Sequence, residues 1–174
     1  MQTHTLIHSS ASNEWYTPPK YLDAVRLVMG GIDLDPASCA EANEVVQATH
    51  FYTIKQDGLS QEWWGRVFLN PPYGRSKGES NQKIWSARLI QQYETGNVTE
   101  AILLVNAVPG CKWFRPLWNY PLCFVEGRIK FYDGKRTPKN STHDSVFVYM
   151  GSRPLTFTEV FSQFGVIAVK SRWS

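Results

Sequence analysis

Asn70, Pro71, Pro72 and Tyr73 carry the most specific chemistry in this sequence, directly after the apolar run Val67-Phe68-Leu69. The Asn70 side-chain oxygen accepts hydrogen bonds but takes up no proton near neutral pH. Pro71 has no N–H, and two prolines in series hold the backbone extended, so the Pro71 carbonyl has a set direction. Two acceptors below the plane of an aromatic base, with the Tyr73 ring to stack on it, suit one task. An exocyclic amine is a poor nucleophile because its lone pair is delocalised into the ring. Acceptors placed beneath it favour the pyramidal, nucleophilic form. This is preorganised electrostatic stabilisation rather than proton abstraction. Taken alone, the tetrapeptide also fits a proline-rich turn with no chemistry.

The elements around it must present this turn to a ligand. Two prolines cannot continue a central strand, so Val67–Leu69 reads as a buried strand ending at the turn. In open α/β sheets, ligands bind at the carboxyl ends of strands. Upstream, Thr17 is placed to cap a helix from about Pro19 to Met29, with prolines in its first turn and Gly30-Gly31 after it. Ile32-Asp33-Leu34-Asp35 reads as a short strand with a carboxylate at its carboxyl end, then Pro36-Ala37-Ser38 turns. Residues 39–49 read as a helix, Phe51-Tyr52-Thr53 as a second strand, and Asp57-Gly58-Leu59 as a turn. The polar stretch 74–82 reads as a flexible loop, either a lid or a solvated connector.

Downstream, a helix is expected from about Gln82 to Tyr93, and the continuous apolar run Ala101–Val105 reads as a parallel strand buried on both faces. Trp113–Trp118 reads as a short helix and Leu122–Val125 as a strand. Arg128–Tyr132 alternates polar and apolar, 133–143 reads as a loop, and Ser145–Tyr149 as a strand. A turn is expected at 151–154, a helix at 159–164 and a final strand at 166–169. Strands and helices alternate early and strands crowd the end. The pattern predicts a mainly parallel α/β sheet with an antiparallel edge pair and helices on both faces. It organises as a loose tail over 1–12 and one domain over 13–174.

The chain's 174 residues, 43% of them hydrophobic, suffice for one substantial core. A net charge of +3 is compatible with nucleic acid without requiring it. Three cysteines with no C-x-x-C spacing argue against a disulfide framework, and the four histidines show no metal-ligand spacing, so no metal is expected. Neither a membrane-length apolar run nor a signal peptide is visible. The expectation is a soluble, cytoplasmic protein with no membrane partner and no obligate protein partner.

The tetrapeptide resembles the (D/N/S)PP(Y/F/W) motif of amino-group S-adenosylmethionine-dependent methyltransferases. The order EWYTP … IDLDPAS … AN … DGL … W-G-x-V-F-x-NPPYG … GRIKF, from about Trp15 to Gly151, resembles the phage-type Dam family of DNA N6-adenine methyltransferases. The joint order and spacing are more specific than any single piece. The resemblance implies a Rossmann-like class I methyltransferase fold, S-adenosyl-L-methionine as cofactor, and methyl transfer to adenine N6 in duplex DNA. It also implies the cytoplasm of a host cell if the protein is phage-encoded.

By the same resemblance, Asn70, Pro71, Pro72 and Tyr73 are catalytic. Asp35, Pro36 and Ala37 form the cofactor-binding turn, although Pro36-Ala37-Ser38 stands where a glycine-rich G-x-G is usual. Asp57 receives the cofactor adenine, and Trp15, Tyr16 and Thr17 close over its methionine end. The Trp15 and Tyr16 rings are suited to a sulfonium charge. Asp33 or Glu41 is left to hold the ribose. Adenine N6 is tied up in pairing, so a flipped base is implied, with phosphates held by basic side chains. Arg75 and Lys77 follow the catalytic turn, and Arg128, Lys130, Lys135, Arg136 and Lys139 form a second cluster against one acid, Asp133. Ordinary solvated charges are the plain alternative for these. Two rival functions stay open: methylation of amines in RNA or of protein glutamine, and a non-catalytic DNA-binding module with a degenerate methyltransferase fold.

Overall fold

The computed structural model describes residues 15–133 and 138–171; the expected tail and the basic residues Lys135 and Arg136 lie outside them. The first helix, α1 (Pro19–Met29), starts on a proline and stops at Gly30, which takes the left-handed conformation at φ 76°. Thr17 does not cap it. The cap position is Pro18, whose carbonyl accepts from the Tyr21 N–H, and the Thr17 hydroxyl is engaged elsewhere. Proline in the first turn makes a side-chain cap less necessary, since its missing N–H needs no partner.

Four parallel strands carry the first half: β1 (Leu34–Asp35), β2 (His50–Phe51), β3 (Gly65–Leu69) and, later, β6 (Val98–Asn106). Between β1 and β2 runs α2 (Ala40–Val46), shorter than the sequence suggests. Gln47 turns left-handed at φ 56°, and the Asn43 amide clamps Ala48, accepting from its N–H at 2.9 Å and donating to its carbonyl at 3.1 Å. That local pair ends the helix three residues early.

The stretch after the Asn70–Tyr73 turn is a hairpin, not an open loop. Strands β4 (Arg75–Ser76) and β5 (Glu79–Ser80) pair antiparallel around Lys77-Gly78, both at positive φ, the signature of a tight two-residue turn. Helix α3 (Asn81–Glu94) follows directly.

Beyond β6 lie a 3-10 helix over Lys112–Asn119, β7 (Leu122–Val125), and a second hairpin, β8 (Lys130–Tyr132) with β9 (Pro138–Asn140); only β9 lies inside the stretch read as a loop. Then come β10 (Ser145–Met150), α4 (Pro154–Phe161) and β11 (Gly165–Ala168). The turn expected at 151–154 supplies the first residue of α4, because Pro154 is favourable at a helix start. The main sheet has seven strands in the order β11-β7-β10-β6-β3-β1-β2. β10 and β11 each run antiparallel to their neighbours, so the antiparallel edge includes β10 inserted between β6 and β7. A mixed sheet, parallel in its centre and antiparallel at one edge, with helices on both faces, is the Rossmann-like methyltransferase architecture.

Period-2 alternation divides the core into two. Phe68, Ile102, Leu104, Phe147 and Tyr149 face α1, α2 and α4; Val67, Leu69, Leu103, Val105, Val146 and Val148 face α3 and the 3-10 helix. Each fully buried large side chain contributes about 1.5–3 kcal/mol of hydrophobic stabilisation. All six residues of β10 are buried, so both faces of this strand fix the sheet at the point where its direction reverses.

Candidate active site

A cavity of about 400 Å³ opens at the carboxyl ends of β1, β2 and β3. The predicted catalytic residues Asn70, Pro71, Pro72 and Tyr73 line it, together with Trp15, Tyr16, Thr17, Asp35, Pro36, Ala37 and Asp57. Asp33 does not. Its carboxylate is spent on Arg66, accepting from Nη2 at 2.7 Å, Nε at 2.8 Å and the backbone N–H at 2.8 Å. Those hydrogen bonds hold Asp33 below the usual carboxylate range. Glu41, the other candidate for the ribose, is exposed on α2 and is not part of the cavity wall.

Asp35 is the electrostatic opposite. Only 4% exposed, it has no ion-pair partner among the described residues, and burial pushes its carboxyl up to about 7. The Ala37 N–H donates to it at 3.1 Å and the Ser38 hydroxyl lies beside it, and these lower the value only in part. A buried carboxylate with spare acceptor capacity in a cavity wall is costly unless something binds it.

The two turns that carry the acids are fitted together. A Cβ on Gly58 would overlap the Pro36 carbonyl oxygen, so only glycine lets Asp57-Gly58-Leu59 sit against Asp35-Pro36-Ala37. Trp63 Nε1 donates to the Gly58 carbonyl at 2.7 Å and keeps that contact closed. Asp57 is exposed at the rim in a left-handed conformation, φ 51°, which short polar side chains tolerate.

The Asn70 amide is held by one half only. Its Nδ2 donates to the Trp15 carbonyl at 2.7 Å and to Thr17 Oγ1 at 3.2 Å. Its Oδ1 is buried, without a hydrogen-bond partner among the described residues. Orphaned buried acceptors are uncommon in native proteins and call for a ligand or a cost. The Tyr73 ring packs against Trp15, centroids 5.2 Å apart, and Trp15 meets Phe131 of β8 edge-on at 5.7 Å. Burial pushes the Tyr73 phenol up, so the ring is a neutral stacking surface.

The same aromatic group anchors the second hairpin beside the Asn70–Tyr73 turn. Tyr16 and Tyr132 exchange backbone hydrogen bonds at 2.8 and 3.1 Å, and Lys139 Nζ lies 5.6 Å from the Trp15 ring centre. Arg128 and Lys130 are exposed on this hairpin and its approach. Arg75 and Lys77 project from the first hairpin, where the Arg75 guanidinium also caps the Gly78 carbonyl.

Sequence reasoning missed several wall residues, among them Cys39, Tyr52 and Trp85. Trp85 had a signal: with Gln82, Ser86 and Leu89 it forms the buried i, i+3, i+4, i+7 stripe of α3. Cys39, at the start of α2, had none. Among the described residues no group of three or more His, Cys, Asp or Glu is arranged to hold a metal ion, and no helix is long and apolar enough to cross a membrane.

The fold is that of a Rossmann-like methyltransferase. The chain belongs to the DNA N-6-adenine-methyltransferase (Dam) family, whose model matches residues 2–172. Membership implies DNA adenine methyltransferase activity, with DNA as substrate. No curated protein matches the chain.

Proposed function

We propose that the protein transfers a methyl group from S-adenosyl-L-methionine to the N6 amine of an adenine flipped out of duplex DNA. The observation that carries this reading is the Asn70 side chain in the cavity wall, its nitrogen occupied and its oxygen without a hydrogen-bond partner among the described residues. An open acceptor beside the Pro71 carbonyl is what an aromatic amine needs to become nucleophilic. Asn70 and Pro71 accept the two amine hydrogens, Tyr73 stacks on the base in place of its lost neighbours, and Pro72 keeps the turn rigid.

The cavity's donor set fits the cofactor. Asp35 offers a buried acceptor to the cofactor's hydrogen-bond donors, with Pro36 and Ala37 closing on it through the backbone, and Asp57 offers an acceptor to an adenine amino group at the rim. The rings of Trp15 and Tyr16 suit a cationic sulfonium. S-adenosyl-L-methionine, when bound, supplies an electrophilic methyl group, so no metal and no covalent enzyme intermediate is required. Arg128, Lys130 and Lys139 on one hairpin, and Arg75 and Lys77 on the other, lie on elements that flank the catalytic turn, suited to contact the phosphates on either side of a flipped base. Lys135 and Arg136 belong to the same basic stretch in sequence.

Sequencing that detects N6-methyladenine, applied to DNA from cells expressing the protein, tests the proposal. New marks in one recurrent sequence context are expected. No new mark in DNA, with labelled methyl found instead in RNA nucleosides or glutamine-containing peptides, would move the activity to another amine. DNA binding with no cofactor binding would leave only the non-catalytic module.

A further inference from the structure

An asparagine amide is nearly symmetric in shape. Rotating it by half a turn exchanges oxygen and nitrogen and would present two donors, not an acceptor, to an incoming amine. The two residues that follow Asn70 do not select an orientation, because Pro71 and Pro72 have no N–H to donate to the amide oxygen. The selection comes from a segment 53 to 55 residues away in sequence, where the Trp15 carbonyl and Thr17 Oγ1 each accept from Asn70 Nδ2.

We propose that Thr17 is a positioning residue for Asn70: its hydroxyl, with the Trp15 carbonyl, fixes the amide so that Oδ1 faces the cavity. The inference rests on the reading of Asn70 as the amine acceptor. Three observations carry it. Thr17 is 5% exposed and does not cap α1, so its hydroxyl is not needed for the local backbone. The Trp15 carbonyl can only accept, which sets the polarity of the pair. The outcome is the arrangement seen: the amide nitrogen engaged twice, the oxygen buried and without a hydrogen-bond partner among the described residues. Thr17 therefore acts through Asn70, although it also lines the cavity.

Thr17→Val removes the acceptor and keeps the shape; Thr17→Ser restores the hydroxyl. Thr17→Val is expected to lower kcat for methyl transfer about tenfold, the scale of one lost hydrogen bond at a reacting group. The KM for S-adenosyl-L-methionine is expected to stay within about twofold. Thr17→Ser should return kcat to within about twofold of wild type. In ¹⁵N NMR spectra, the Asn70 side-chain NH₂ pair, identified by its loss in Asn70→Asp, should be protected from exchange in wild type and Thr17→Ser and unprotected in Thr17→Val.

Unchanged kcat and protection in Thr17→Val would overturn the proposal, as would a loss confined to cofactor KM, which would make Thr17 a cofactor contact. If Thr17→Val does not fold, the wild-type signal still decides: an unprotected Asn70 amide refutes the anchoring. If wild-type protein methylates no DNA adenine, the functional reading fails while the NMR result still tests the anchoring.

Discussion

Asp33 and Asp35 are two residues apart at one strand, and the protein treats them in opposite ways. At the amino end, Asp33 is bound three times by Arg66. Arg66 stands opposite Glu100 in the β3–β6 register, and Glu100 is held by Arg153 at 2.7 Å and by the Tyr149 hydroxyl at 2.6 Å. Charge there runs as a paired layer across adjacent strands. At the carboxyl end the polar groups are left open. Asp35 has no cation, and the buried Asn70 Oδ1, Asn106 Oδ1 and Ser145 Oγ lack partners among the described residues. One end satisfies its polar groups internally and serves stability. The other leaves them without a cation or without a partner among the described residues, and two of these residues, Asp35 and Asn70, line the cavity.

The comparison breaks most visibly at Asn70. Asn70→Ala is expected to lower kcat about 10³-fold, the scale seen when one preorganised hydrogen-bond partner is lost. Cofactor affinity by isothermal titration should stay within a few-fold. Undiminished turnover would remove Asn70 from the chemistry.

Asp35→Asn should act in two directions. Relieving a buried, unpaired carboxylate is expected to stabilise the cofactor-free protein by about 1–3 kcal/mol at pH 8, read from urea denaturation. The same variant should bind cofactor more weakly. Asp33→Ala should do the reverse: a loss of about 1–2 kcal/mol, because Arg66 is left partly buried without its partner, with cofactor affinity within about twofold. If the two variants shift stability the same way, the contrast between the ends is wrong.

pH separates the two acids without mutation. The Asp35 carboxyl is raised from 3.8 to about 7 on folding. Between those values the native protein keeps a proton that the unfolded chain has released. Stability of the cofactor-free protein from this group therefore falls as pH rises from about 4 to about 7. Asp33 is lowered, so its contribution is present above its unfolded value and is lost as pH falls through the lower, folded one. Denaturation across pH 4–8 should show the first slope in wild type and lose it in Asp35→Asn.

The smallest effect belongs to the hairpin. Lys130→Ala should weaken DNA binding a few-fold at moderate salt and reduce the salt dependence of log K by about one phosphate contact. An unchanged salt slope would return Lys130 to the ordinary solvated surface.

The place of Asn70–Tyr73 at a strand end in a cavity wall was legible, because two prolines directly after an apolar run must end the strand. The acids of the DPA and DGL turns stood out only through the family resemblance, and both line the cavity. What separates Asp33 from Asp35 was not legible, because the alternating pattern of Ile32–Asp35 is the same for both. The difference is Arg66, which reaches Asp33 through the pairing of β3 with β1, a non-local fact. The role of Thr17 was hidden for the same reason. A threonine before two prolines suggests a helix cap, and only the folded chain redirects its hydroxyl across 53 residues to Asn70. The first hairpin and β9 read as loop because strands of two or three mostly polar residues show too little alternation to mark a strand, whereas the alternation of Arg128–Tyr132 does hold β8.

The backbone bridge between Tyr16 and Tyr132 has a consequence for the order in which competence arises. The segment Trp15–Thr17, which accepts from the Asn70 amide, is bridged at Tyr16 to Tyr132 of β8, 116 residues further along the chain. A chain synthesised only through β6 already contains the strands that carry Asp35, Asp57 and the catalytic turn, but not the strand to which that segment is bridged. Long loop closures come late in folding, because their entropy must be lost before the contact is gained. The turn can thus exist before its amide has a defined direction, and the last third of the chain decides when the site begins to distinguish an acceptor from a donor.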